Sequence, residues 1–98
     1  MSRRVVTAPR AERQIQAARN WWRRNRHKAP DLFDEEISRA FALIAESPGA
    51  GKPIAGRPGK RQIEISRIRY TLYYAVIDEE TIGVLALWHT SRGRKPSL

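Results

Sequence analysis

Apolar positions in the first half of the chain repeat with a helical period, and those in the second half with the period of a strand. From Pro9 to about Asn25, Ala11, Ile15, Ala18 and Trp22 recur at i, i+4, i+7 and i+11 while arginines fill the other faces, which predicts an amphipathic helix. His27-Lys28-Ala29-Pro30 breaks it. Asp31, Asp34, Glu35 and Glu36 then gather where the positive end of a second helix dipole would lie. Phe33, Ile37, Ala40, Phe41 and Ile44 give that helix one apolar stripe, and Ser47-Pro48-Gly49 ends it. Ahead of the hairpin, Val5-Val6 reads as a short extended run, with Thr7 as the cap of the first helix and Pro9 in its first turn. Residues 47 to 59 hold four glycines and three prolines and read as a loop.

Beyond that loop the period changes to two. Ile63 and Ile65 alternate with Gln62, Glu64 and Ser66, as in a half-buried strand. Tyr70 to Ile77 is rich in aromatic and β-branched residues, and Asp78-Glu79-Glu80 separates it from Thr81 to His89, whose nearly continuous apolar run predicts a strand covered on both faces. The order β-α-α-β-β-β predicts an α+β domain in which a helical hairpin packs on one face of a small, mostly antiparallel twisted sheet.

With 98 residues the chain has room for one domain, spanning residues 1 to 98. A chain of this size buries only about 60 to 65% of its unfolded surface. It contains no cysteine, which removes disulfides and most zinc sites, so neither a metal nor a cofactor is expected. No run approaches the ~20 apolar residues of a membrane span, and the N-terminus lacks a signal-peptide apolar region, so the expectation is a cytoplasmic protein without a membrane partner. The charge does change the picture. Nineteen Lys plus Arg against ten Asp plus Glu give +9 and a pI near 11.1, concentrated at Arg19 to Lys28, Arg57 to Arg69 and Arg92 to Lys95. Such a field attracts nucleic acid, ribosomes or an acidic protein.

Gly51-Lys52 invites a phosphate-loop reading and fails it, because Glu46 and Pro53 stand where a glycine and a Ser or Thr are needed. Trp21 and Trp22 are neighbours and cannot share a helix face. Trp22 continues the apolar stripe, which leaves Trp21 either as an interface anchor or packed on its own hairpin. His89, with Arg92 and Arg94 close behind, admits two roles: moving a proton beside guanidiniums that hold a phosphate, or a structural hydrogen bond at a strand end.

This order of elements, with Arg61 opening the second strand, Tyr70-Thr71-Leu72-Tyr73-Tyr74 in the third and Val84-Leu85-Ala86-Leu87-Trp88-His89 followed by Arg92, resembles the RelE/ParE superfamily of bacterial toxins over nearly the whole chain. The Thr7 and Ala11 entry to the first helix and the Ile44 to Gly51 exit of the second belong to the same likeness. The resemblance implies the toxin of a type II toxin-antitoxin system, of the plasmid-stabilisation type, bound and neutralised by a cognate antitoxin in a hetero-oligomer.

Two activities occur in that superfamily. RelE-like members cut mRNA on the ribosome, whereas ParE-like members poison DNA gyrase without cutting RNA. Ribonuclease relatives carry two lysines spaced i, i+2 on the second strand and an arginine just after the tyrosine of the third. Here the matching positions are Gln62, Glu64 and Thr71. A carboxylate facing a pentacovalent phosphate repels the charge that builds in the transition state. The YoeB-type pattern also fails, with Ile54 and Thr71 at its glutamate and arginine positions and only His89 retained. The resemblance therefore points to a ParE-like toxin that inhibits gyrase by binding, with Arg92, Arg94 and Lys95 as target contacts and no catalytic residue. Its antitoxin, an acidic or amphipathic segment, would be anchored by Trp21, Trp22, Phe33 and Phe41. The alternative, a ribosome-dependent mRNA endoribonuclease, would use Arg61, His89 and Arg92.

Overall fold

The computed structural model describes residues 2–98. Strand β1 (Arg4–Thr7) leads into helix α1 (Pro9–Asn25) and helix α2 (Leu32–Glu46). After a 3-10 turn at Pro48–Ala50 come β2 (Lys52–Pro53), β3 (Lys60–Ile65), β4 (Tyr70–Val76) and β5 (Thr81–His89). The five strands form one sheet in the order β1-β5-β4-β3-β2. The last four pair antiparallel, and β1 runs parallel to β5 with Arg4 opposite Thr81 and Thr7 opposite Val84.

Both helical stripes face the sheet. Ala11, Ile15, Ala18 and Trp22 of α1 and Phe33, Ile37, Ala40 and Ile44 of α2 pack with Ile65, Leu72, Tyr74, Ile82, Val84 and Leu87 in one core. Trp22 also fixes the hairpin, its Nε1 donating to the Ala29 carbonyl at 2.8 Å. On the hairpin surface Arg19 and Arg23 grip Asp34 at 2.5 and 2.7 Å. Glu36, buried at the sheet side of α2, accepts from Arg39 at 2.8 Å and from Arg67 of the β3–β4 turn at 3.5 Å, tying helix to turn.

Two local expectations are corrected. Thr7 does not cap α1: it ends β1, and Ala8 stands at the N-cap without a side-chain hydrogen bond. Pairing with Val84 holds Thr7 in the sheet, and Pro9 opens the helix. Nor is 47–59 loop throughout. The Tyr74 hydroxyl donates to the Pro48 carbonyl at 2.7 Å and accepts from the Gly51 N–H at 2.9 Å, while Arg61 Nη1 donates to the Gly51 carbonyl at 2.7 Å. A Cβ on Gly51 would lie 2.6 Å from the Gln62 carbonyl oxygen and 2.7 Å from the Tyr74 hydroxyl, so only glycine permits this approach. These partners supply the ordering that composition alone could not reveal, and β2 joins the sheet beside β3.

The edge of β5 outlasts its neighbour. Past Val84, where β1 stops, the Leu87 N–H points away from β4 and is taken by Gln14 Oε1 of α1 at 2.9 Å.

Candidate target and partner surfaces

The registers sort the second-half residues onto two faces. Ile63, Leu72 and Leu87 are aligned on the helix-covered face, and Ile65, Tyr70 and His89 follow them. Gln62, Tyr73 and Ala86 align on the opposite face, followed by Glu64, Thr71 and Trp88. A β-bulge between Tyr73 and Tyr74 leaves Leu85 as the extra residue of β5.

Among the described residues no helix covers this second face, yet Tyr73 is only 4% exposed and Thr71 is buried. The tail after β5 lies over it. Trp88 Nε1 donates to the Arg94 carbonyl at 2.8 Å, the Arg92 guanidinium stands 4.2 Å from the Trp88 ring centre and that of Arg94 5.8 Å, and Lys60 Nζ reaches the Leu98 carbonyl oxygen at 2.8 Å. Cation–π attraction of this kind contributes about 0.5–1 kcal/mol at exposed sites. The result is a cavity of about 270 Å³ with Gln62, Glu64, Thr71 and Tyr73 as its floor and Arg92, Arg94 and Lys95 at its rim. Gln62 Oε1 is buried there without a hydrogen-bond partner among the described residues. Burial pushes the Tyr73 phenol above its ordinary pKa. Two of the three expected target cations, Arg92 and Arg94, are thus gathered around one indole, and Lys95 lines the same cavity. That organiser, Trp88, was not singled out from the sequence; its phase, in step with Ala86 and out of step with Leu87, was the available signal.

His89, paired with Tyr70 at the end of β5, follows the helix-side register but also lines this cavity. Its ring meets Tyr70 edge-on at 5.1 Å, and its Nδ1 accepts from the Ser91 N–H at 3.2 Å with Ser91 Oγ at 2.6 Å. An Nδ1 that accepts puts the proton of the neutral ring on Nε2. No hydrogen bond or ion pair among the described residues gives this imidazole a carboxylate partner. Burial raises the pKa of the Tyr70 phenol, and the nearby charge of Arg92 opposes that rise.

The three residues of the ribonuclease alternative do not converge. Arg92 and His89 are adjacent, the Arg92 N–H donating to the His89 carbonyl at 3.1 Å. Arg61 pairs with Tyr74 and His89 with Tyr70, so four residue steps along β4, about 13 Å at ~3.3 Å each, separate them. Arg61 is also committed to the Gly51 carbonyl.

The four expected antitoxin anchors divide as well. Phe33 is 1% exposed and Trp22 7%, so both are core residues and neither is available to a partner. Trp21, 42% exposed at the end of α1, and Phe41, half-buried, remain accessible. Phe41 lines a groove of about 340 Å³ between the helices, with Ile15, Ile37 and Arg19. Among the described residues no group of acidic, histidine or cysteine side chains is placed to hold a metal ion, and no helix is long and apolar enough to cross a membrane.

Solved structures share this fold. The chromosomal ParDE toxin-antitoxin system from P. aeruginosa superposes with a TM-score of 0.74 at 17% identity, covering 92% of this chain and 98% of that one. The isolated E. coli RelE toxin gives 0.61 at 23% identity over 96% of this chain and 89% of its own. The RelBE2 toxin-antitoxin complex from Mycobacterium tuberculosis gives 0.63 at 24% identity, over 91% and 99%. No curated protein sequence matches the chain. Residues 5–94 match the family described as the ParE toxin of the type II toxin-antitoxin system parDE. With nine-tenths of its length inside that match and the same two-helix, five-strand architecture, this chain belongs to the ParE toxin family.

Proposed function

We propose that this ParE-family chain acts by binding, with DNA gyrase as its target, and that a cognate antitoxin neutralises it in a hetero-oligomer. The observation that carries this reading is the floor of the tail-covered cavity. Gln62, Glu64 and Thr71 come together at the positions where the resemblance to ribonuclease toxins calls for cations. A floor with one carboxylate and two neutral side chains does not stabilise a phosphorane. The rim of Arg92, Arg94 and Lys95 instead suits electrostatic contact with an acidic surface or a nucleoprotein. Purified chain is expected to inhibit gyrase supercoiling and to accumulate cleaved DNA complexes. Full supercoiling activity at large toxin excess would sink the proposal.

For the antitoxin, Trp21 and the Phe41 groove supply apolar anchors, and the +9 charge steers an acidic segment toward them. The ribosome-dependent endoribonuclease reading loses support from the engagement of Arg61 with Gly51 and of His89 Nδ1 with Ser91. Cleavage of mRNA on translating ribosomes, abolished in His89→Ala, would restore it.

A further inference from the structure

A second basic surface, which meets the tail-covered cavity at His89, lies where α1 ends against the β3–β4 turn. A cavity of about 350 Å³ opens there, within the roughly 300–1,000 Å³ typical of small-ligand sites. Four rings line it, Trp21, Trp22, Tyr70 and His89, together with three guanidinium-bearing residues, Arg26, Arg67 and Arg69. Of these arginines only Arg67 has a carboxylate partner, Glu36 at 3.5 Å; Arg26 and Arg69 have none among the described residues. Arg26 stands over the exposed Trp21 ring at 5.1 Å, offering an indole and a guanidinium as stacking surfaces.

The backbone holds Arg69 in place at a cost. Its φ of 63° is the only positive value at a non-glycine residue among those described, and its carbonyl is clamped by the Thr90 N–H at 2.9 Å and the Thr90 hydroxyl at 3.1 Å. A left-handed arginine is less stable than glycine at such a turn by about 1 kcal/mol or more. A second cavity of about 240 Å³ adjoins the first, sharing Trp21, Tyr70 and His89 and reaching Trp88 and Arg92. Two adjoining chambers with common aromatic walls and arginines at both ends form a track rather than an isolated pocket.

We propose that this track binds a single-stranded segment of nucleic acid, with a base stacked at Trp21 and neighbouring phosphates on Arg26 and Arg69. Aromatic platforms interleaved with cations are the chemistry of sequence-tolerant single-strand binding, since every base has a π face. A duplex keeps its base faces internally stacked and cannot use the rings, and an acidic peptide without apolar side chains would use the arginines but not the aromatic walls. The proposal concerns the track alone and stands whether or not gyrase is the target.

The test is fluorescence anisotropy of a short labelled oligo-deoxythymidine with the full chain over a range of salt. Trp21→Ala is expected to weaken binding about tenfold, the lower part of the range for loss of one stacked base. Arg69→Gly removes the cation while easing the turn, and should weaken binding and lower the salt slope by about 0.7 for one lost phosphate contact. Arg57→Gln, on an exposed turn, removes an equal charge elsewhere and should leave affinity and slope unchanged. Equal losses in Arg57→Gln and Arg69→Gly would overturn the proposal, reducing the binding to the general field of a +9 protein. So would duplex DNA, thymidine monophosphate or a poly-glutamate peptide that competes as well as the strand.

Discussion

The two faces of the sheet are both covered, by different means. On one, the helices contribute Phe33, Ile44, Trp22 and Ile15 to an apolar core. On the other, a charged tail is held by one indole and one lysine, each donating to a tail carbonyl, and by an arginine over the indole ring. The first cover is set by area removed from water and is not weakened by ionic screening. The second rests on few polar contacts, at partly exposed positions where each contributes about 1 kcal/mol or less. On the proposed reading, the helix-covered side of the sheet carries most of the stability and the tail-covered side the target contacts.

The contrast can be broken hardest from the helix side. Phe33→Ala should cost about 3–5 kcal/mol, read as a lower urea midpoint at unchanged m, whereas Phe41→Ala on the same helix should cost much less because its ring is half-exposed. Next comes Tyr74→Phe. Its hydroxyl serves the 3-10 turn from inside the core, so its loss leaves the Gly51 N–H and Pro48 carbonyl without that partner and should cost about 1–3 kcal/mol. Faster hydrogen exchange at Gly51 would accompany it.

Smaller effects sharpen the other side. Burial alone would raise the pKa of the Asp34 carboxyl, but the hydrogen bonds and charges of Arg19 and Arg23 outweigh it and hold the value below the ordinary 3.8. A depressed folded-state pKa means that the contribution is present above pH 3.8 and is lost as the pH falls through the folded value. Because the pair is partly exposed, Asp34→Asn should cost less than about 1 kcal/mol at neutral pH, with the difference from wild type vanishing in acid denaturation below that range. Smallest on stability is the double change Arg92→Ala with Arg94→Ala, expected to shift the urea midpoint only slightly while relieving growth arrest on expression. A large stability loss there would refute the division of labour between the faces.

Much of this arrangement was legible in periodicity. The residues spaced along α1 are the ones that enter the core, and the alternation along β3 predicts which side chains face the helices. The stripe of α2 could not separate Phe33 from Phe41, since both lie on it and only the opposing surface decides depth. The 3-10 turn and β2 were hidden because a two-residue strand has no period, and the groups that order this segment, Tyr74 and Arg61, lie on strands later in the chain. The tail was readable as charge but not as a cover, because Trp88 acts through its position on a face rather than through any motif. His89 shows the same limit: its neighbours in sequence are arginines, while its neighbours in space are Tyr70 and Ser91.

The hydrogen bond from the Leu87 N–H to Gln14 has a bearing on how the molecule behaves in company. A strand that outlasts its neighbour is an invitation to a second copy, which could add itself in register and propagate. Here one amide on a helix occupies the donor that such a copy would need. A small, strongly cationic protein thus has two defences against clumping, mutual repulsion at long range and, where the sheet is most vulnerable, a single side chain that keeps the edge occupied.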